Sequence, residues 1–155
     1  MFFTSLYYGS VDYFRVATGE YLGYTCSAGL ISYRGAGLFR PSAFRVTGTP
    51  GDEMHYVADA VPGGAILRYP QVCLPDTTEI VFMVANKMVE DFAFGDPNTM
   101  FVMTLDQGEA SAIFGKTQVY KVDLSVGEGG VNTIGTPVLI GDHDQSMNDF
   151  QGARD

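Results

Sequence analysis

The segment Thr117–Val126, which reads TQVYKVDLSV, alternates polar and apolar side chains over the length of a β-strand. Successive side chains of a strand point to opposite faces, so the pattern predicts a half-buried strand. One face would carry Gln118, Tyr120, Val122, Leu124 and Val126, and the other Val119, Lys121, Asp123 and Ser125. This segment favours a sheet that packs on one side against a core.

The rest of the sequence repeats short runs of strand-forming residues between turn formers. Glycine (19) and proline (7) are scattered along the 155 residues, which suits many short strands joined by turns. Tight turns are predicted at 8–11 and 17–20. The predicted strands are Phe2–Tyr8, Val11–Ala17, Tyr21–Cys26, Leu30–Tyr33, Leu38–Val46, Met54–Val61, Ala65–Tyr69, Ile80–Ala85, Thr99–Leu105, Gln118–Val126 and Val131–Ile140.

One segment, Thr78–Phe92, supports two predictions. Its apolar residues recur at helical spacing, at Val81, Val84, Ala85, Met88 and Phe92. However, Ile80–Val84 is also rich in strand formers. We favour a strand followed by a short helix over Lys87–Phe92, with one longer helix as the alternative.

These patterns predict an all-β fold with at most one or two short helices. A β-sandwich, a jelly roll and a barrel-like arrangement all fit. The length suits a single domain, which we place at residues 1–141. Residues 142–155 form a polar, acidic C-terminal tail, which we interpret as an interface arm.

The charge balance narrows the classes of partner. Nine Lys and Arg oppose eighteen Asp and Glu, a formal net charge of −9, which argues against nucleic-acid binding. Residues 1–50 carry four arginines against Asp12 and Glu20, a net +2, so the remainder carries −11. A basic N-terminal part and an acidic remainder favour electrostatic contacts between copies of the chain, or with a neighbouring protein.

The sequence also bears on localisation. No apolar run approaches the roughly 18–20 residues of a membrane span, and the N-terminus lacks the pattern of a signal peptide. We therefore expect no membrane partner, and a location in the cytoplasm before assembly or in a virion. The two cysteines, Cys26 and Cys73, are expected to be buried free thiols, with one disulfide as the alternative.

Motifs for catalysis or metal binding are weak. Glu53 and His55 would share a strand face, but two ligands fall short of a catalytic metal site, and we interpret them as an exposed cluster. The spacing Asp142-x-Asp144-x-Ser146 resembles the start of a calcium loop without its glycine and closing glutamate. We predict no catalytic residue, no cofactor and no metal, and therefore not an enzyme.

Aromatic-arginine dipeptides recur in the basic part of the chain. On a strand each aromatic can enter the core while its arginine points outward. Arg34, Arg40 and Arg45 would lie close together if the chain folds back at Pro41, forming a patch for an acidic partner surface. Further candidate interface residues are the aromatics near the ends, Phe2, Phe3, Tyr7, Tyr8 and Phe150.

The function that these features favour is structural. We expect a homo-oligomer, or a complex with another structural protein, such as a phage capsid decoration (cement) protein or a head or tail component. The alternative is a carbohydrate-binding, lectin-like module that uses some of the nine tyrosines. A small hydrolase with dispersed carboxylates or a site centred on His55 is the third hypothesis.

Overall fold

The computed structural model describes residues 2–5, 10–26, 40–72, 74, 77–106, 116–124 and 134–144. Within these residues the chain forms eleven β-strands and no helix. They are β1 (Phe2–Ser5), β2 (Ser10–Phe14), β3 (Tyr21–Cys26), β4 (Pro41–Thr49), β5 (Asp52–Asp59), β6 (Ala65–Pro70), β7 (Glu79–Met83), β8 (Lys87–Asp96), β9 (Thr99–Asp106), β10 (Lys116–Asp123) and β11 (Val138–Asp144).

The strands form three antiparallel sheets in which each strand pairs with its neighbours in sequence. Sheet I has the order β1-β2-β3, sheet II β4-β5-β6-β7, and sheet III β11-β10-β9-β8. The predicted all-β class is confirmed. None of the sheets closes into a barrel, and the meander order differs from the Greek-key connections of a jelly roll, so the sandwich alternative fits.

Sheet II contributes to a core on each of its faces. Because side chains alternate along a strand, Tyr56 and Ala58 face one core while Val57 between them faces the other. The core shared with sheet III contains Ala43, Tyr56, Ala58, Ile66, Val81, Phe82, Val89, Phe92, Met100, Val102, Tyr120, Val122 and Leu124. The core shared with sheet I contains Val11, Cys26, Val57, Ala65, Leu67 and Tyr69.

The alternation predicted for the segment at 117–126 is confirmed as far as the structure describes it. Gln118, Tyr120, Val122 and Leu124 are buried, whereas Asp123 is exposed and Val119 and Lys121 are half-buried. Of these buried residues, Tyr120, Val122 and Leu124 join the core between sheets II and III. Local alternation was therefore sufficient to orient β10.

The predicted helix over Lys87–Phe92 is wrong, as is the longer helix, whereas the strand at Ile80–Ala85 is confirmed as β7. Ala85 and Asn86 form a turn between β7 and β8, and Asn86, directly before β8, adopts a positive φ of 61°. Strands β7 and β8 both contribute to the core between sheets II and III, with Val81 and Phe82 from β7 and Val89 and Phe92 from β8. The helical spacing of the apolar residues in Thr78–Phe92 thus arises from two strands separated by a turn.

Several other boundaries differ from the expectation. β4 begins at Pro41 and continues to Thr49, so the chain does not fold back between Pro41 and Arg45. β11 begins at Val138 rather than Val131 and extends to Asp144, across the boundary set for the tail. The turn at 17–20 is confirmed, with Gly19 at φ 71°. Leu30–Tyr33 and residues 145–155 lie outside the described residues.

The expectation of free thiols is wrong for Cys26. This residue is fully buried in the core between sheets I and II, and it is disulfide-bonded. Cys73 is the one other cysteine in the sequence and lies outside the described residues. The disulfide therefore places a covalent cross-link in the core between sheets I and II.

Candidate functional site

Arg45, a member of the predicted arginine patch, contacts residues of its own chain. Its guanidinium donates a hydrogen bond of 2.9 Å to Asp91 and lies 5.5 Å from the centroid of the Phe92 ring. These contacts join β4 of sheet II to β8 of sheet III. Arg45 therefore contributes to the packing of the two sheets, while its proposed role in an interface stays a prediction.

Arg40, a second member of the patch, is not brought to Arg45. Arg40 is exposed directly before β4, and its backbone N–H donates to the buried Asp59 carboxylate at 2.6 Å. Arg45 lies five positions after Arg40 along extended chain, which corresponds to about 16 Å. Arg34 lies outside the described residues.

The structure describes only two of the five candidate aromatics near the chain ends. Phe2 and Phe3 lie in β1, an edge strand of sheet I, in register with Tyr13 and Asp12 of β2. Tyr7, Tyr8 and Phe150 lie outside the described residues. The interface role of these five aromatics stays a prediction.

β11 carries an apolar surface that sequence patterning did not single out. Val138, Leu139 and Ile140 are 57%, 46% and 52% exposed. In a strand with one covered face, alternate residues would be buried, so three consecutive exposed residues mean that neither face is well covered. Among the described residues, β11 pairs with β10 alone and forms the edge of sheet III.

The two halves of β11 differ in polarity. Its second half contains Asp142, whose carboxylate lies 2.7 Å from the ammonium of Lys116 on β10. Charged residues and proline are common protection for sheet edges. Pro137 directly precedes the apolar triplet, so the exposed apolar edge is confined to residues 138–140.

A second exposed surface lies on sheet I. Tyr21 and Tyr24 of β3 are 54% and 49% exposed, and Asp12 of β2 is in register with Tyr24. The Tyr21 hydroxyl donates to Asp12 at 3.4 Å, and the Tyr21 ring packs against Phe14 at 5.4 Å. Desolvation and the Asp12 charge raise the pKa of Tyr21. Two rings beside a carboxylate can contact the apolar face of a ligand and hydrogen-bond its hydroxyls.

His55 is buried rather than exposed, which corrects the expectation of an exposed cluster. It is 5% exposed and lies between the rings of Phe44 and Tyr69, at 5.4 and 5.5 Å. Burial lowers the pKa of His55, partly offset by the Glu53 charge. This environment gives the imidazole little contact with solvent and a role in packing.

Arg68 is also buried, although a charged residue next to an aromatic on a strand, here Tyr69, is expected to point outward. It is 4% exposed and donates two hydrogen bonds to Glu79, one of them 3.1 Å from Nε to Oε2. Strand register places Arg45, Tyr56, Arg68 and Glu79 in one row across sheet II. The buried charge is thus paired by a neighbouring strand, which no local signal could reveal.

A shallow depression of about 370 Å³ opens beside the turn between β4 and β5. Asp52 and Glu53 contribute carboxylates, and Glu53 accepts a hydrogen bond of 3.0 Å from the Gly51 N–H. The lining residues are Gly51, Asp52, Glu53, Met54, Pro70, Gln71, Val72, Leu74 and Thr77. The described part of this lining holds two carboxylates and no histidine, cysteine or lysine, so those residues give no acid-base pair with distinct environments.

The described residues form neither a cluster of metal ligands nor a membrane-spanning helix. No group of three or more His, Cys, Asp or Glu side chains converges as a metal site in the part of the chain that the structure describes. Asp142 of the calcium-like spacing pairs with Lys116 instead, while Ser146 lies outside that part. The same described residues contain no helix of the length and apolarity needed to cross a membrane.

Comparison with known proteins gives no relative: no family model, curated protein or solved structure matches the chain. The surfaces on β11 and on sheet I are therefore interpreted from their own chemistry.

Proposed function

We propose that the protein is a structural, non-enzymatic assembly protein that binds copies of itself or another structural protein. The observation that carries the proposal is the exposed apolar edge of β11, Val138–Ile140. Native sheets usually protect their edges, so an exposed apolar edge favours pairing with another chain. We further propose that the assembly is a virion, with the protein as a decoration (cement), head or tail component of a phage.

The buried polar residues support a non-enzymatic role. His55 is enclosed by two rings, and Arg68 is paired with Glu79. A general base must come within hydrogen-bond reach of its substrate. These groups instead stabilise sheet II, which would serve a rigid building block.

Solution mass tests the assembly. Light scattering across a wide concentration range should give a species heavier than the 16.8 kDa chain. A variant that ends at Asp144 retains β11 and removes residues 145–155, so loss of the oligomer in that variant would assign the contact to the tail. Mass spectrometry of particles purified from the source should detect the protein. A monomer at every concentration that is also absent from particles would refute the proposal.

Carbohydrate binding is the second candidate, favoured by the exposure of Tyr21 and Tyr24 beside Asp12. It predicts saturable binding to a glycan that changes little with salt. The double variant Tyr21→Ala and Tyr24→Ala should lose that binding, whereas Val16→Ala, on the adjacent exposed turn, should keep it. A flat response of the folded protein on a broad glycan array would rule this candidate out.

A further inference from the structure

The apolar triplet of β11 is self-complementary when two copies of the strand run antiparallel. A two-fold axis through Leu139, perpendicular to the sheet, places Leu139 opposite its own counterpart. The same axis places Val138 opposite Ile140 of the second copy, and Ile140 opposite Val138. Residues opposite each other in an antiparallel pair lie side by side, so each exposed apolar side chain gains an apolar neighbour.

We propose that the edge of β11 pairs with β11 of a second copy across this axis and joins two four-stranded sheets into one of eight strands. The proposal rests on the proposed function, because it names the partner and the contact of that assembly. Two-fold interfaces of this kind are the commonest arrangement in homo-oligomers. Backbone hydrogen bonds would supply the pairing, and the apolar triplet would fix the register.

Charge favours the antiparallel orientation of the two copies over the parallel one. A parallel pairing in register would place Asp142 beside Asp142, about 5 Å apart. The antiparallel pairing places Asp142 opposite Thr136 and separates the two Asp142 residues by six positions, roughly 20 Å along the strand. That distance exceeds the Debye length of about 8 Å at physiological ionic strength, so the repulsion is largely screened. In each copy Lys116 already pairs with Asp142.

The flanking residues limit the length of the seam. Pro137 has no backbone N–H to donate, and it lies opposite Gly141 of the second copy. The seam therefore covers three residues of each copy. A contact of this size lies well below a standard interface, so we expect a dimer that dissociates on dilution.

The test introduces a charge at Leu139, the residue that lies on the proposed two-fold axis. In Leu139→Lys two ammonium groups would meet at the axis, and in Leu139→Glu two carboxylates would meet there. Each variant alone should be monomeric at concentrations where the unmodified protein is dimeric, at twice the chain mass of 16.8 kDa. An equimolar mixture of the two variants should recover the dimer, because lysine then faces glutamate. Sedimentation velocity measures all three samples.

A matched control separates this seam from a general effect of added charge. Met83 ends the edge strand β7 and is 50% exposed, close to the exposure of Leu139. Met83→Lys should therefore dimerise like the unmodified protein. Circular dichroism should show that all variants remain folded.

The outcomes distinguish the seam from the broader function. If Leu139→Lys remains oligomeric, or if the mixture stays monomeric, the seam is overturned while assembly through another surface stands. If the unmodified protein is monomeric at every concentration, the seam is also overturned, and the proposed function then depends on the detection of the protein in purified particles.

Discussion

Strands β6 and β11 each begin with three apolar residues, Ala65–Leu67 and Val138–Ile140, but these lie in opposite environments. In β6 all five residues from Ala65 to Tyr69 are buried, whereas β11 exposes Val138, Leu139 and Ile140 in succession. β6 lies between β5 and β7 in the sheet that packs on both faces, and β11 ends the order of sheet III. Sheet order therefore decides burial more strongly than the hydrophobicity of the run. It even buries Arg68 while leaving Leu139 outside.

The largest loss of stability is expected when a buried side chain of β6 is shortened. Leu67 is 1% exposed in the core between sheets I and II. Leu67→Ala should lower the free energy of unfolding by about 2–5 kcal/mol, because the transfer energy of the side chain is lost and a cavity remains. Urea denaturation of both proteins measures the change. A loss below about 1 kcal/mol would contradict a closely packed site at β6.

The disulfide of Cys26 lies in the same core as Leu67, and its removal should have the next largest effect on stability. Cross-linking restricts the unfolded chain, so Cys26→Ala should lower stability by about 2–4 kcal/mol. The denatured, unreduced protein should contain no titratable thiol, since Cys26 is bonded and the sequence has two cysteines. Thiol titration and denaturation with and without reductant test this. Two reactive thiols in the unreduced chain would exclude the bond.

Local patterning predicted much of the strand content. The alternation of β10 and the run of β3 depended only on neighbouring residues, and both strands lie where expected. β8 was missed because Lys87, Glu90 and Asp91 interrupt its apolar residues. A register shift between Val89 and Asp91 breaks its two-residue period as well.

The candidate surfaces were harder to predict because they depend on contacts between distant residues. His55 is enclosed by rings from β4 and β6, and Arg68 is paired by Glu79 from β7. The polar residues Asp52 and Glu53 beside His55 indicated exposure instead. Val138–Ile140 are apolar and in a strand, which predicts burial unless the order of the sheet is known.

A pH titration tests the buried histidine beside β6. The pKa of His55 is lowered by burial, so the unfolded chain binds its proton more readily than the folded chain. The neutral side chain favours folding above the ordinary pKa of about 6.5, and stability should fall as pH drops below that value, by at most about 1.4 kcal/mol per pH unit. Denaturation between neutral and mildly acidic pH should show a flatter profile in His55→Leu. Parallel profiles would contradict the assignment.

Arg45 tests a weaker contact at the rim between sheets II and III. Its ion pair with Asp91 is exposed, with side chains 43% and 51% accessible, so solvent screens the attraction. Arg45→Met should cost about 0.2–1 kcal/mol, and Asp91→Asn should cost little more once Arg45 has been replaced. A double-mutant cycle by urea denaturation measures the coupling. If Arg45→Met instead abolishes assembly with stability unchanged, the arginine would belong to the interface.

The smallest effect on the monomer is expected for the same substitution in β11. Leu139→Ala removes a side chain that is half exposed, so the free energy of unfolding at high dilution should stay within about 0.5 kcal/mol of the unmodified protein. Leucine loses the same atoms here as at position 67, so the contrast measures environment alone. The oligomer should nevertheless weaken, because Leu139 lies on the proposed axis. A loss comparable to that of Leu67→Ala at high dilution would show that β11 is buried within the monomer.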